Sequence, residues 1–156
     1  MSIAIVYMSK HGTTQKVANI LKEKINSVEL IDLRKNKKPD ISLYDTVIIG
    51  GSIHAGMMQN RVKKFCESNS DLLMRNTLGL FLCCMYEEEK ALEQFEIAFP
   101  KELRNHAKAT GLLGGEFIFE KMNFFEKLIV KKVSGFKETV SKINMDEVEK
   151  FAQKMA

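Results

Sequence analysis

The amino-acid sequence predicts an α/β fold, a doubly wound sheet of five parallel strands with helices on both faces. Short apolar runs rich in β-branched residues alternate five times with amphipathic segments of helical period, which is typical of parallel sheets. The chain has 156 residues, of which 45% are hydrophobic and 28% charged, so one globular domain of residues 1–156 can bury a substantial core. No internal repeat or low-complexity linker divides the sequence.

The first half of the chain supplies three of the five strands. Residues 3–8 form a short apolar run, typical of a strand that is buried on both faces. Apolar residues then recur at helical spacing, at Val17, Ala18, Leu21 and Ile25. The second strand is predicted for residues 28–33 and the third for residues 44–51, which end at a pair of glycines. A helix is predicted for residues 59–69. Its inner face is formed by Val62, Phe65 and Cys66.

The second half repeats this alternation, with strands predicted for residues 77–85 and 108–116. The amphipathic helix between them ends at Pro100, because proline cannot continue a helix. Its apolar face is formed by Ala91, Leu92, Phe95, Ala98 and Phe99. The last helix, residues 146–155, is expected to bury Val148, Phe151, Ala152 and Met155. Between the fifth strand and this helix lies a predicted helical insertion of about residues 117–135, which a doubly wound domain does not need.

Three loops of this fold are candidates for a binding site. Ligands of doubly wound sheets bind outside the carboxyl ends of the strands, at the point where the strand order reverses. We call the candidates loop 1 (residues 9–14), loop 2 (residues 52–60) and loop 3 (residues 85–89). They follow the first, third and fourth predicted strands.

Loop 1 has the composition of a phosphate-binding turn at the start of a helix. Its residues are Ser9, Lys10, His11, Gly12, Thr13 and Thr14. Unpaired N–H groups and the positive end of the helix dipole favour an anion here, the glycine permits close approach, and the hydroxyls can donate hydrogen bonds. The alternative is an ordinary turn whose Ser and Thr residues cap the helix. The loop has neither a Walker pattern nor Gly-x-Gly-x-x-Gly.

Loop 2 combines glycines with flat or polarisable side chains. Glycines allow a planar ring to approach the main chain, and Ile53, His54 and Met57 could pack on a ring face. His54 is the candidate catalytic residue, because histidine transfers protons near neutral pH. The alternatives are a flexible connecting loop and a histidine that is simply at the surface.

Loop 3 begins with an aromatic residue and continues with three glutamates. Tyr86 could stack on the opposite face of a flat ring. The glutamates would then lie near the ring, or they could simply stabilise the start of a helix through its dipole. The two interpretations are compatible.

The insertion carries an apolar helical face and an excess of basic residues. Residues 117–142 hold six lysines against three glutamates. Three interpretations are open: a helix packed on the core or at a homodimer interface, a surface for an apolar planar substrate, and a basic amphipathic contact of residues 117–133 with a membrane.

Charge and cysteine content bear on nucleic-acid binding, zinc binding and cellular compartment. The net charge of +4 comes with no basic stripe interleaved with stacking aromatics, so nucleic-acid binding is not expected. Cys66, Cys83 and Cys84 have no zinc-site spacing, and Cys83 and Cys84 are predicted to be buried strand residues. An odd number of cysteines without a signal peptide indicates the cytoplasm, with the inner face of the membrane as a peripheral alternative.

The chain resembles the flavodoxin superfamily over its whole length, and more closely its menaquinone-dependent protoporphyrinogen oxidases. The residues that carry this resemblance are those of 7–14, of 51–56, and of 114–135. The resemblance implies the strand order 2-1-3-4-5 and an FMN cofactor. It places the FMN phosphate on loop 1, including His11, where the family usually has threonine. The residues that it places beside the flavin ring are Ser52, Ile53, His54, Ala55, Gly56, Cys84, Met85 and Tyr86.

Three hypotheses for function follow. The first is an FMN-dependent oxidoreductase that takes electrons from an apolar planar reductant and passes them to a quinone. The second is a flavodoxin that carries electrons between larger redox partners, with which its acidic residues 86–96 would dock. The third is an interaction module that keeps the fold and binds no flavin.

Overall fold

The computed structural model describes residues 2–54, 56–117, 126–128, 131 and 140–156. The strands are β1 (Ile3–Tyr7), β2 (Val28–Asp32), β3 (Thr46–His54), β4 (Met57–Met58), β5 (Thr77–Cys83), β6 (Ala109–Leu112), β7 (Glu116–Phe117) and β8 (Val140–Ser141). The helices are α1 (Thr13–Lys24), α2 (Asn60–Ser68), α3 (Ser70–Arg75), α4 (Glu88–Ala98), α5 (Lys101–His106) and α6 (Met145–Met155).

Five parallel strands form the main sheet in the order β2-β1-β3-β5-β6. This is the expected order 2-1-3-4-5, since β5 and β6 are the fourth and fifth parallel strands. The order reverses at β1, whose Ile5 pairs with Leu30 on one side and Ile48 on the other. The carboxyl ends of β1, β3 and β5 therefore meet at one edge of the sheet.

The core lies in two layers, one on each face of this sheet. Because side chains alternate along a strand, Ala4 and Val6 enter one layer, and Ile3, Ile5 and Tyr7 enter the other. The first layer packs against α2, α3, α4 and α5, and the second against α1 and α6. The predicted inner faces of α1, α2 and α6 are confirmed, because all their named apolar residues are buried.

Several predicted boundaries are wrong, for identifiable reasons. The third strand continues to His54, because Met57 and Met58 fold back and pair with it as an antiparallel strand. The prediction that Leu92 is buried is wrong: its side chain is 56% exposed and lines a cavity. Helices α3 and α5 were not predicted, because six residues are too few to show a helical period.

Around the insertion, β7 and β8 form a separate antiparallel pair. The fifth predicted strand ends early, and Gly114 adopts a φ of +83° where the chain turns towards this pair. The predicted helix of residues 117–135 falls mostly outside the described residues. Of its apolar face, the described Leu128 is 48% exposed. Among the described residues, we find no helix that is both long and apolar enough to cross a membrane.

Candidate functional site

Loops 1 and 2 lie against each other at the carboxyl edge of the sheet. The side chain of Gln59 connects them: its Oε1 accepts a hydrogen bond from Ser52 N–H at 2.9 Å, and its Nε2 donates to Ser52 Oγ at 2.6 Å and to Met8 O at 3.4 Å. The rings of His11 and His54 meet edge to face, with their centroids 5.4 Å apart. These contacts bring the two predicted binding loops into one site.

Loop 1 presents free helix N–H groups rather than a capped turn. The N-cap of α1 is Gly12, which adopts a left-handed φ of 98° and makes no side-chain capping bond. Ser9 Oγ accepts from Gly12 N–H at 3.0 Å, one residue before the helix begins. The N–H groups of the first turn have no intrahelical partner, and the positive end of the dipole adds to them. The interpretation of the loop hydroxyls as helix caps is therefore wrong for α1.

Thr14 provides a buried hydroxyl that needs a partner. Its side chain is 1% exposed, and Oγ1 has no oxygen or nitrogen partner among the described residues. Its neighbour is the thiol of Cys83, a weak hydrogen-bonding group. Leaving a buried polar group unpaired costs about 1–3 kcal/mol. An anion seated on the first turn of α1 would supply acceptor oxygens, so these residues fit a phosphate.

Arg34, which lies outside the three predicted loops, and Gln59 of loop 2 hold loop 1 in place. Arg34 Nη1 donates to the carbonyl of Ser9 at 3.1 Å, and Gln59 donates to the carbonyl of Met8. Asp32 Oδ1 in turn accepts from the backbone N–H of Arg34 at 2.9 Å. Sequence reasoning missed Arg34, since it contacts loop 1 from a distant part of the chain, and it named loop 2 without assigning this contact to Gln59.

His54 is held as a neutral imidazole. Burial, and then the charges of His11 and Lys10, lower its pKa to about 4. Its Nε2 lies 3.1 Å from Ser52 Oγ. Ser52 Oγ accepts from Gln59 and can donate its own proton to Nε2; in that tautomer the ring proton of His54 lies on Nδ1. His54 can therefore donate one N–H to a ligand at neutral pH, and the catalytic role expected for it stays a prediction.

We expect this histidine to make the stability of the cofactor-free protein depend on pH. The unfolded chain binds a proton at His54 below its ordinary pKa of 6.5, whereas the folded chain does so only below about 4. Stability from this group is thus fully present above pH 6.5 and is lost as the pH falls towards 4. The loss is at most about 3 kcal/mol. Urea unfolding at several pH values measures it.

Lys10, His11 and Glu126 are the charged or titratable groups that act on His54, and they contribute to the size of this pH dependence. They are unchanged in the variants that test it. His54→Gln should flatten the profile between pH 6.5 and 4, whereas His106→Gln, at a histidine outside all three loops, should keep the slope. An unchanged slope in His54→Gln would contradict the assignment.

Loop 3 adjoins this site through the end of β5. Cys83 pairs in register with Ser52 of β3. Burial raises the pKa of the Cys83 thiol to about 12 and that of Cys84 above its ordinary value. Both cysteines are buried, as predicted, and the raised pKa values make them poor nucleophiles. The ammonium of Lys90 lies 4.2 Å from the ring centroid of Tyr86, so one ring face is already covered. The proposed stacking of Tyr86 on a flavin stays a prediction.

A cavity of about 530 Å³ lies beyond loop 3, between α4 and β6. Its walls include Tyr86, Leu92, Phe95 and Gly111, and Glu87 and Lys142 form an ion pair of 3.5 Å at its border. None of the described residues of loop 1 or loop 2 lines it. This cavity is therefore a neighbour of the phosphate-type site and not the site itself.

Two carboxylates near the insertion reach loop 1. Glu116 Oε1 accepts from Thr13 Oγ1 at 3.0 Å, and its Oε2 lies 3.1 Å from Lys16 Nζ. Burial acts to raise the pKa of Glu116, but hydrogen bonds from Ser141, Lys16 and Thr13 outweigh it and hold the pKa below its ordinary value. Glu126, the second carboxylate, lies against loop 1 as well. Sequence reasoning found neither, because a hundred residues or more separate them from their partners.

Glu126 contacts both basic side chains of loop 1. Its Oε2 lies 2.9 Å from Lys10 Nζ and 2.8 Å from His11 Nε2. His11, His54 and Glu126 each offer one potential metal-ligand atom within 4.8 Å of the others. The ammonium of Lys10 already neutralises the carboxylate that would attract a cation, so we assign no metal to this cluster.

Not all predicted site residues lie together. The six residues of loop 1 lie with Ser52 and His54, whereas Ile53 packs against the first core layer. Gly56 is exposed with a φ of +78°, and no atom of the described residues lies within 4 Å of its Cβ direction, which leaves room for a flat ligand. Ala55 lies outside the described residues. Met85 and Tyr86 are half-buried and line the cavity between α4 and β6.

The sequence matches a family model described as the flavodoxin domain over residues 4–144. The chain therefore belongs to the flavodoxin-domain family. None of the curated protein sequences matches it.

Solved structures share the fold at low sequence identity. Oxidised flavodoxin 1 from Bacillus cereus is 18% identical with a TM-score of 0.55, over 98% of this chain and 93% of that one. A short-chain flavodoxin associated with a non-canonical PDU bacterial microcompartment is 13% identical with a TM-score of 0.56, over 99% and 97%. The rubredoxin oxygen:oxidoreductase of Desulfovibrio gigas is 16% identical with a TM-score of 0.63, and this chain covers 35% of it. These likenesses show the flavodoxin-like fold.

Proposed function

We propose that this protein binds FMN and acts in electron transfer. The observation that carries the proposal is loop 1, where free N–H groups of α1 and the unpaired hydroxyl of Thr14 converge beside Lys10 and His11. Membership of the flavodoxin-domain family supports FMN as the anion-bearing ligand. When bound, FMN would supply the redox chemistry, and the protein would supply position and electrostatics.

Different residues at the carboxyl edge of the sheet would bind the phosphate and the flavin ring of this cofactor. Loop 1 would bind the phosphate through backbone N–H groups, Thr14 and its two basic side chains. The segment 52–56 and residues 84–86 would flank the flavin ring. Neutral His54, with its proton on Nδ1, would donate a hydrogen bond to an acceptor and would not add a positive charge.

In finer terms, we propose an FMN-dependent oxidoreductase that accepts electrons from an apolar planar reductant and delivers them to a quinone. The resemblance to menaquinone-dependent protoporphyrinogen oxidases motivates this, and the cavity beside loop 3 supports it. At about 530 Å³, with apolar side chains such as Phe95 and Leu92 in its wall, the cavity has the size of a small-molecule site.

The alternative is a flavodoxin in the strict sense, which carries electrons between larger proteins. The exposed glutamates on and before α4 favour it. These are Glu87, Glu88, Glu89, Glu93 and Glu96. Such an acidic surface would steer encounters with basic redox partners, and the rate would fall as ionic strength rises.

One assay separates the two proposals. FMN-loaded protein is mixed without oxygen with protoporphyrinogen and a menaquinone analogue, and protoporphyrin fluorescence is followed. We expect a signal that requires FMN and the quinone, with FMN-free protein as the control. No signal from protein with firmly bound FMN would contradict the oxidoreductase proposal. Salt-sensitive electron exchange with a flavodoxin reductase would then favour the carrier.

A further inference from the structure

The carboxylate of Glu126 lies against the basic side chains of the loop that is proposed to hold the FMN phosphate. We propose that Glu126 competes with this phosphate for Lys10 and His11, and thereby reduces the preference of the protein for FMN over riboflavin, the flavin that lacks a phosphate. This inference rests on the proposed function, since it concerns the same site.

The geometry places the ammonium of Lys10 and the imidazole of His11 on one carboxylate oxygen. Lys10 Nζ and His11 Nε2 lie 2.9 Å and 2.8 Å from Glu126 Oε2. The side chain of His11 is 9% exposed and that of Glu126 is 20% exposed, so water screens this contact only partly. Lys10 is 49% exposed and can turn away from the carboxylate.

A phosphate on loop 1 needs the same partners. A phosphomonoester carries a charge of about −1.5 to −2 near neutral pH, with acceptor oxygens that seek N–H donors. Either Glu126 withdraws from Lys10 and His11 when the phosphate binds, or it stays and repels the phosphate. Both alternatives cost binding free energy, and neither cost arises for riboflavin.

Glu116 does not play this part, although it also contacts loop 1. Its side chain is 5% exposed, and its carboxylate is held by Thr13 and Lys16. It does not contact Lys10 or His11 among the described residues. Among the residues that the structure describes, competition for Lys10 and His11 is therefore assigned to Glu126.

The test compares two flavins in matched variants. Dissociation constants of FMN and riboflavin are measured by quenching of flavin fluorescence in the wild-type protein, in Glu126→Gln, and in Glu93→Gln, the same change on the exposed side of α4. In Glu126→Gln we expect FMN to bind about three- to tenfold tighter, as for loss of a partly screened like charge. Riboflavin affinity should change less than about twofold.

A second variant keeps the test decisive if Glu126→Gln disturbs the fold, which its thermal unfolding would reveal. When Glu126→Gln is added to Lys10→Gln, the increase in FMN affinity should be smaller than in the wild-type background, because the ammonium for which Glu126 and the phosphate compete is absent. Unchanged or weaker FMN binding in Glu126→Gln, or an equal gain for both flavins, would overturn the inference while FMN binding stands. Absence of flavin binding in every variant would overturn the proposed function as well.

Discussion

Replacing Thr14 by valine is expected to weaken FMN binding about ten- to one hundredfold, as for loss of a hydrogen bond to a charged group. The same change should leave the free energy of unfolding of the cofactor-free protein unchanged, or raise it by up to about 1 kcal/mol. Valine keeps the shape of threonine, and the hydroxyl that it removes has no strong partner within the described part of the chain. The hydroxyl thus acts for the ligand and not for the fold.

FMN titration and urea unfolding of the same samples measure the two effects. Thr77→Val, at the exposed start of β5, is the matched control and should leave FMN affinity within about twofold. If Thr14→Val destabilised the protein by more than about 1 kcal/mol, its hydroxyl would have a structural role. If FMN affinity were unaffected, Thr14 would not contact the phosphate.

Replacing Gly50 by alanine is expected to destabilise the protein by about 3 kcal/mol or more, the upper end for added volume in a packed core. Gly50 lies in β3 directly opposite Phe81 of β5. A Cβ at this position would lie 2.0 Å from Phe81 Cζ, and Phe81 is itself fixed against Phe151 at a ring-centroid distance of 5.9 Å. Either the ring or the strand must move. Urea unfolding of the variant measures the loss.

A double-mutant cycle tests the cause of this loss. Phe81→Leu removes the ring atoms that clash, so Gly50→Ala should cost about 1 kcal/mol or less in that background. Gly56→Ala is a contrasting control, because its added Cβ meets no atom and only its φ of +78° opposes the change. Additive costs of Gly50→Ala and Phe81→Leu would contradict the clash.

The fold could be predicted largely because the buried face of each helix or strand requires apolar residues at a regular spacing in the sequence. Val17, Ala18 and Leu21 recur on one helical face, and residues 3–8 form a continuous apolar run. Where the period is short or absent the prediction failed, as for β4, α3 and α5. Leu92 has the right spacing to be buried, but a cavity instead of packed side chains lies beside it.

The site could be predicted only where its residues are close in sequence. Loop 1 was found because hydroxyls, a glycine and a helix start are adjacent, although sequence could not tell free N–H groups from capped ones. Arg34, Glu116 and Glu126 were missed because each contacts the site from a distant part of the chain. A lone arginine or glutamate carries no local pattern that marks such a contact.

Gly50→Ala and Thr14→Val are expected to affect stability differently, because Gly50 serves folding and Thr14 serves ligand binding. Gly50 lies where β3 and β5 must approach closely, so it serves the fold that aligns the loops. Thr14 keeps a buried hydroxyl unpaired on α1, which costs stability and provides a donor for a ligand. Residues that are locally unfavourable for folding are expected at functional sites.

The affinity of the wild-type protein for FMN relative to riboflavin tests the central claim most directly, since the two ligands differ only by the phosphate. Titration of cofactor-free protein with each flavin, followed by fluorescence quenching, gives both dissociation constants. We predict that FMN binds at least about one hundredfold tighter, which corresponds to the loop 1 contacts with a charged group. Equal affinities for FMN and riboflavin would contradict a phosphate site on loop 1.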